Sequence, residues 1–309
     1  MRLSDTLPID DLLSIAPPVP SPHVRNAMTF EIVPADQVSM TEQARLFTEA
    51  FTGYVGGSFE MDEAGLARFI CAQGADICHS HFARNEQGLC GFAYVGRTGN
   101  VSRICAMGVI PATRRGGIAR QLLEGLITEA RSRGDEAIVL EVIEQNPGAH
   151  ELYKQAGFRK IDRLEGWRWL AKSAVDEGSP DLSRISEMSH TRASQLPSAF
   201  EFPHLPWQVS RHAVAKLASA RAFSCGTATI VISDPKTAGP IRIHALSVPK
   251  STAKWPALRE ALRAVLQVYP GREFFAPPVF PEAFGREIFG RLNFAREPLS
   301  QFLMRQDIG

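Results

Sequence analysis

Arg114-Arg115-Gly116-Gly117-Ile118-Ala119-Arg120 follows the apolar pair Val109-Ile110 and the short Pro111-Ala112-Thr113 connection, and it opens a helical pattern. Residues of these types in this order can hold an anion. The first turn of a helix leaves backbone N–H groups unpartnered at the positive end of the helix dipole, and glycine lets a phosphate approach them closely. Charge agrees with geometry: between Arg103 and Arg133 stand six arginines and only two acids, Glu124 and Glu129. Across the whole chain 34 Lys+Arg and 33 Asp+Glu leave a net charge of +1. No global field would draw the chain to nucleic acid or an anionic membrane, so an anion site must be local. An ordinary glycine-containing turn with solvated arginines would show the same residues. A second cluster, Cys78-His79-Ser80-His81, would put both histidines on one face of a strand. Ile77, Phe82 and Ala83 around it read as plain strand and no further ligands gather, so no metal is expected.

The elements that must position the loop are legible on both sides of it. Apolar spacing predicts a strand at 30–33, helices at 41–51 and 62–73, and two strands at 77–84 and 89–96 joined by Asn85-Glu86-Gln87-Gly88 as an antiparallel hairpin. A strand at 104–110 leads into the loop. The helix after it, 119–133, carries Leu122, Leu123, Leu126, Ile127 and Ala130 on one stripe and ends at Gly134. Residues 137–143 are almost wholly apolar, as a strand inside a sheet would be. A short helix at 148–155 and a strand at 167–170 complete the unit.

With 44% hydrophobic and 22% charged residues, the 309-residue chain is globular, and its length suits two domains. No uninterrupted apolar stretch reaches the roughly 18 residues of a membrane span, and no signal peptide is evident at the start. Five cysteines, an odd count without zinc spacing, suggest a reduced, cytoplasmic protein. Residues 1–28 hold five prolines and read as a loose arm, with Met28 an alternative start. Residues 173–182 read as a linker between domains at 29–172 and 183–309. The second domain echoes the first: Ala106-Met107-Gly108-Val109-Ile110-Pro111 by His244-Ala245-Leu246-Ser247-Val248-Pro249, and Glu151 to Phe158 by Glu287 to Phe294, at offsets of 138 and 136 residues.

Arg114, Gly117 and Ala119 fit the pattern Gln/Arg-x-x-Gly-x-Gly/Ala, and Leu140-Glu141-Val142, Asn146, Ala149, Leu152-Tyr153 and Gly157-Phe158 follow in a fixed order. In both elements the chain resembles the GCN5-related N-acetyltransferase (GNAT) superfamily. The resemblance implies an α+β fold with a mixed, mostly antiparallel sheet flanked by helices, here in tandem with a degenerate second copy. It implies acetyl-CoA as co-substrate. The pyrophosphate would rest on the amides of Arg115, Gly116, Gly117, Ile118, Ala119 and Arg120, with Arg114 beside them. The pantetheine would pair with the strand edge at Met107, Gly108 and Val109.

Tyr153 would then protonate the departing thiolate, since a phenol with a pKa near 10 stays protonated at neutral pH. Asn146 would bind CoA or cap the following helix. Glu141, twelve residues before Tyr153, is where ribosomal-protein alanine acetyltransferases of the superfamily carry a basic glutamate; here it is either the base or a buried structural carboxylate, with water taking the proton. Glu144 is a weaker alternative. The second copy has Lys250-Ser251-Thr252-Ala253 for the glycine loop and Phe289 for Tyr153, so it reads as non-catalytic. Residues 51–60, with Phe51, Tyr54 and three glycines, would wall the acceptor site. The expected activity is acetyl transfer to a small-molecule amine by a monomer or homodimer. A non-catalytic acyl-CoA-binding module and a protein N-terminal or lysine acetyltransferase are the alternatives.

Overall fold

Ser39 starts the first helix: its hydroxyl accepts from Glu42 N at 3.3 Å while the Glu42 carboxylate takes the Ser39 N–H, a reciprocal cap. A computed structural model describes residues 29–57, 60–171, 181–195, 206–217, 219–249 and 254–308. The arm at 1–28, most of the linker and the second-copy loop at 250–253 lie outside the described residues.

The first half runs β1 (Glu31–Pro34), α1 (Met40–Ala50), α2 (Glu63–Gln73), β2 (Ala75–Asn85), β3 (Gly88–Thr98), β4 (Val101–Val109), α3 (Ile118–Ser132), β5 (Ala137–Ile143), α4 (Pro147–Gln155) and β6 (Arg159–Trp169). The second runs β7 (Ile185–Ser189), α5 (His190–Gln195), α6 (Arg211–Ala215), β8 (Ala220–Cys225), β9 (Ala228–Ser233), β10 (Ile241–Ser247), α7 (Lys254–Val268), β11 (Phe274–Pro281), α8 (Glu282–Ile288) and β12 (Ala295–Asp307). The apolar stripe of α3 is buried as its spacing requires, from Ile118 through Ala130. The strand expected at 167–170 is longer, and its start was hidden by charged residues that find partners in the sheet. Arg163 pairs with Glu144 and Glu165, and Lys160 lies 3.7 Å above the Phe302 ring.

All twelve strands form one mixed sheet in the order β1-β2-β3-β4-β5-β12-β6-β11-β10-β9-β8-β7. The only parallel pairs among them are β4 with β5 and β10 with β11. This is the GNAT fold, in two copies joined edge to edge. The sequence boundaries did not anticipate how they join, because each half gives its last strand to the other. β12 inserts between β5 and β6, pairing antiparallel from Gln301↔Ile143 to Asp307↔Ala137, and β6 in turn pairs with β11. The cores follow the exchange. Phe302, Met304 and Ile308 of the second half are buried with Leu123, Leu140 and Tyr153 of the first, while Trp167 and Trp169 are buried among Phe274, Phe280 and Phe289 of the second.

Candidate active site

β4 and β5 pair in parallel from Val101↔Ala137 to Ile104↔Leu140, and there the ladder stops. A bulge on β4 between Ile104 and Ala106 bends the strand as it leaves β5, while its other edge stays bonded to β3 through Phe92↔Gly108 and Gly91↔Val109. The edge at Met107, Gly108 and Val109 that faces β5 is therefore left without a strand partner. Gly108 is fixed by space: a Cβ there would lie 2.9 Å from the Phe92 ring and 3.0 Å from Ala50 Cβ.

The loop after β4 turns on two left-handed residues, Arg115 (φ 66°) and Gly117 (φ 87°). Gly117 is the N-cap of α3 and offers no side chain to its donors, and the first amide to reach a helical carbonyl is that of Gln121, 3.0 Å from Gly117 O. The amides of Ile118, Ala119 and Arg120 thus remain free for an anion. Nothing lies within 4 Å of where a Gly117 Cβ would be, so the space before them is open. Arg114 turns inward: its Nε donates to Val109 O at 3.1 Å and its Nη2 to Ala50 O at 2.9 Å, tying the end of β4 to the end of α1. Arg120 reaches Gln155 Oε1 at 2.7 Å, which joins α3 to α4.

Three hollows with shared walls run from this loop into the protein. The outermost, about 480 Å³, is lined by Arg115, Gly117, Ile118, Ala119 and Arg120 facing Gly148 and Leu152. The middle one, about 460 Å³, lies between Met107, Gly108 and Val109 on one side and Asn146, Ala149 and Tyr153 on the other. The innermost, about 520 Å³, shares Phe51, Tyr54, Asn146 and Tyr153 with it and continues to Glu141, Gln208, Arg242 and Pro277. The splay of β4 from β5 opens this passage.

Tyr153 stands in the wall common to the middle and inner hollows. Its ring is 7% exposed and meets Phe158 edge-on at 5.8 Å, yet none of the described residues hydrogen-bonds its hydroxyl. Burial, with the nearby Tyr54, pushes its phenol above the ordinary range, so it holds its proton. Burial raises Tyr54 as well, against the bond from Asn146. Asn146 caps α4, its Oδ1 accepting from Ala149 N at 3.2 Å, while its side chain lines both hollows.

Glu141 is buried and already occupied. Arg103 Nη2 meets its Oε2 at 2.7 Å and Nε lies 3.0 and 3.2 Å from the two oxygens, while Gln208 Nε2 donates to Oε2 at 3.3 Å. Burial would lower the Arg103 guanidinium, but the Glu141 charge offsets that and keeps it raised. This arrangement favours the structural reading of Glu141 over that of a free base. Glu144 is also taken: the Ser300 hydroxyl and Arg163 hold its carboxyl below the usual range. His81 meets Glu129 on α3 at 3.0 Å, and His79 lies 4.0 Å from Asp76.

Residues 43–158 match the family model described as acetyltransferase (GNAT) family. Over these residues the chain is similar to the GNAT acetyltransferases. The whole chain is similar in fold to GCN5-related N-acetyltransferases from Sphaerobacter thermophilus (15% identity over 90% of this chain and 96% of that one, TM-score 0.60) and Anabaena variabilis (14%, 91% and 73%, TM-score 0.61). It is similar also to a tandem GNAT protein from the clavulanic acid biosynthesis pathway (16%, 91% and 99%, TM-score 0.58). A search of curated proteins finds no match.

The sequence reading missed three residues at the site, two of them supplied by the second half. Gln208 sits in a 3-10 turn, Trp207–Val209, of the second half, held by Trp207 Nε1 donating to Ala72 O at 3.3 Å and by the Trp207 ring packed over Gly74. Arg242 comes from β10. Arg103 counted only as surplus charge, although one turn of strand logic links it to Glu141 through the Arg103↔Val139 pair. Phe289, opposite Tyr153 in the repeat, is fully buried among Trp167, Phe280 and Phe294 and has no hydroxyl to offer.

Proposed function

We propose that residues 29–172 transfer an acetyl group from acetyl-CoA to the amine of a small molecule, and that 183–309 form a non-catalytic second copy that completes the acceptor cavity. The observation that carries this reading is the unpartnered Tyr153 hydroxyl at the wall between the middle and inner hollows. Acetyl-CoA supplies the acyl group as a thioester. The free amides of Ile118, Ala119 and Arg120 suit its pyrophosphate, and the open β4 edge suits the amides of its pantetheine arm. The inner hollow, about 520 Å³, is of small-ligand size and walled by both halves, which favours a small acceptor over a protein chain.

The amine arrives as an ammonium ion and gives one proton to water, with the Glu141 carboxylate as its counter-charge. Its nitrogen then bonds to the acyl carbon as the carbon–sulfur bond breaks, and it gives a second proton to water. Tyr153 passes its proton to the sulfur and regains one from solvent, so each turnover yields the amide, free CoA thiol and one proton. Among the described residues no helix is long and apolar enough to cross a membrane, and the five cysteines are unpaired, which agrees with a reducing cytoplasm. A thiol-release assay over an amine library, with mass spectrometry of the products, tests the proposal. Absence of both release and acetylated product would leave an acyl-CoA-binding module in its place.

A further inference from the structure

The two halves differ at one charge pair. In the first, Arg103 is in register with Val139, and two residues further along β5 stands Glu141, which takes the guanidinium in both hands. In the second, Arg242 holds the same place: it is in register with Phe275 of the parallel strand β11 and stands one residue before the bulge that both copies share. Two residues along β11 there is Pro277. Arg242 therefore keeps the arginine and has lost the carboxylate.

Its guanidinium has no hydrogen-bond or salt-bridge partner among the described residues, although the residue is half-buried in the wall of the inner cavity. Burial lowers its affinity for its own proton, and no acid offsets this as Glu141 does for Arg103. The neighbours do not help. His244 is pushed down to about 3 by burial and by the charges of Arg242 and His190, so it stays neutral, and neither histidine supplies an anion. An unpaired guanidinium in such a wall is a costly feature unless an anion reaches it. In the same cavity Gln208 gives its N–H to Glu141, which leaves its Oε1 buried without a partner among the described residues. One cavity thus offers both acceptors to an ammonium and a fork of donors to a carboxylate.

We propose that Arg242 binds a carboxylate on the acceptor, so that the acceptor is an amine of amino-acid type whose ammonium faces Glu141 and Gln208. This deepens the function proposed above and rests on it for the identity of the acceptor. It also gives the second half a task in recognition that its lack of an acid does not touch.

The test compares each of the twenty amino acids with the amine left when its carboxylate is removed, by calorimetry on the full chain with saturating CoA. At least one amino acid should bind roughly ten- to a hundredfold more tightly than its amine, the worth of a charge-assisted contact. Arg242→Met should erase that difference without weakening the amine or CoA, and Arg242→Lys should restore part of it. The variant should fold, because no partner is stranded by the change. Equal binding of both members of every pair, binding of neither, or an equal loss for both in Arg242→Met overturns the proposal. Binding needs no turnover: Arg242-dependent selectivity without thiol release would refute acetyl transfer alone, and transfer to carboxylate-free amines only would refute the Arg242 assignment alone.

Discussion

Replacing Tyr153 with Phe removes one oxygen from a ring that is 7% exposed and keeps its edge contact with Phe158 at 5.8 Å. None of the described residues bonds that oxygen, so the fold loses no hydrogen bond and stability should change by less than about 0.5 kcal/mol. The ring still lines the middle hollow, so CoA affinity should hold. Turnover should not. A positioned acid contributes about 10² to 10⁴-fold, or roughly 2.7 to 5.4 kcal/mol of barrier. The pH dependence has a definite sign. Burial and Tyr54 raise the phenol above its ordinary value, so stability tied to its protonation is fully present below about pH 10 and is lost only above. Between pH 6 and 9 Tyr153 stays protonated, and Tyr153→Phe should lower kcat by one factor throughout without moving the limbs of the profile. The assay is thiol release with one good acceptor across that range, with calorimetry of CoA on the same protein. A kcat within threefold of wild type at every pH would refute the assignment and pass the proton to water.

Gly117→Val forces a β-branched residue into φ 87° before the free amides, and should weaken CoA binding at least tenfold by calorimetry while the melting temperature falls only slightly. Glu141→Gln takes the charge partner from a buried Arg103 and should cost roughly 3 to 5 kcal/mol in denaturant unfolding; a free catalytic base would instead show lost activity with unchanged stability. A chain ending at residue 294 loses β12 and with it Phe302, Leu303, Met304 and Ile308 from the core, roughly 6 to 12 kcal/mol of burial against a total stability of about 5 to 15, so it should fail to give cooperative unfolding by calorimetry.

The elements were legible wherever one face is apolar and the other is not. The α3 stripe and the apolar run of β5 were both readable, and so was the glycine loop between β4 and α3, because backbone conformation dictates its residue types. Long-range pairing was not. β6 begins with Arg159, Lys160, Asp162 and Arg163, which read as loop until Glu144 and the Phe302 ring are set beside them. The strand exchange left no local mark, since β12 would present the same alternation to its own half as to the other. The candidate catalytic residues suffered from the same limit: spacing can put Glu141 near Tyr153, but only the neighbouring strand β4 shows that Arg103 has claimed the carboxylate.

The strand exchange also explains how the two halves could diverge without separating. β12 lies between β5 and β6, and β6 lies against β11, so any shift of one half would break the sheet of the other. The interlock holds the Trp207–Val209 turn against α2 and keeps Gln208 on Glu141. A second copy bound this way is free to lose a glycine loop or a phenol, because the first copy supplies both, but it cannot drift from the cavity wall. Selection on its inward residues would then act through the shared cavity. An arginine in register with β11 where Pro277 stands in place of a carboxylate is what such selection would leave, and it is the residue at which the proposed role of the second half is most directly measured.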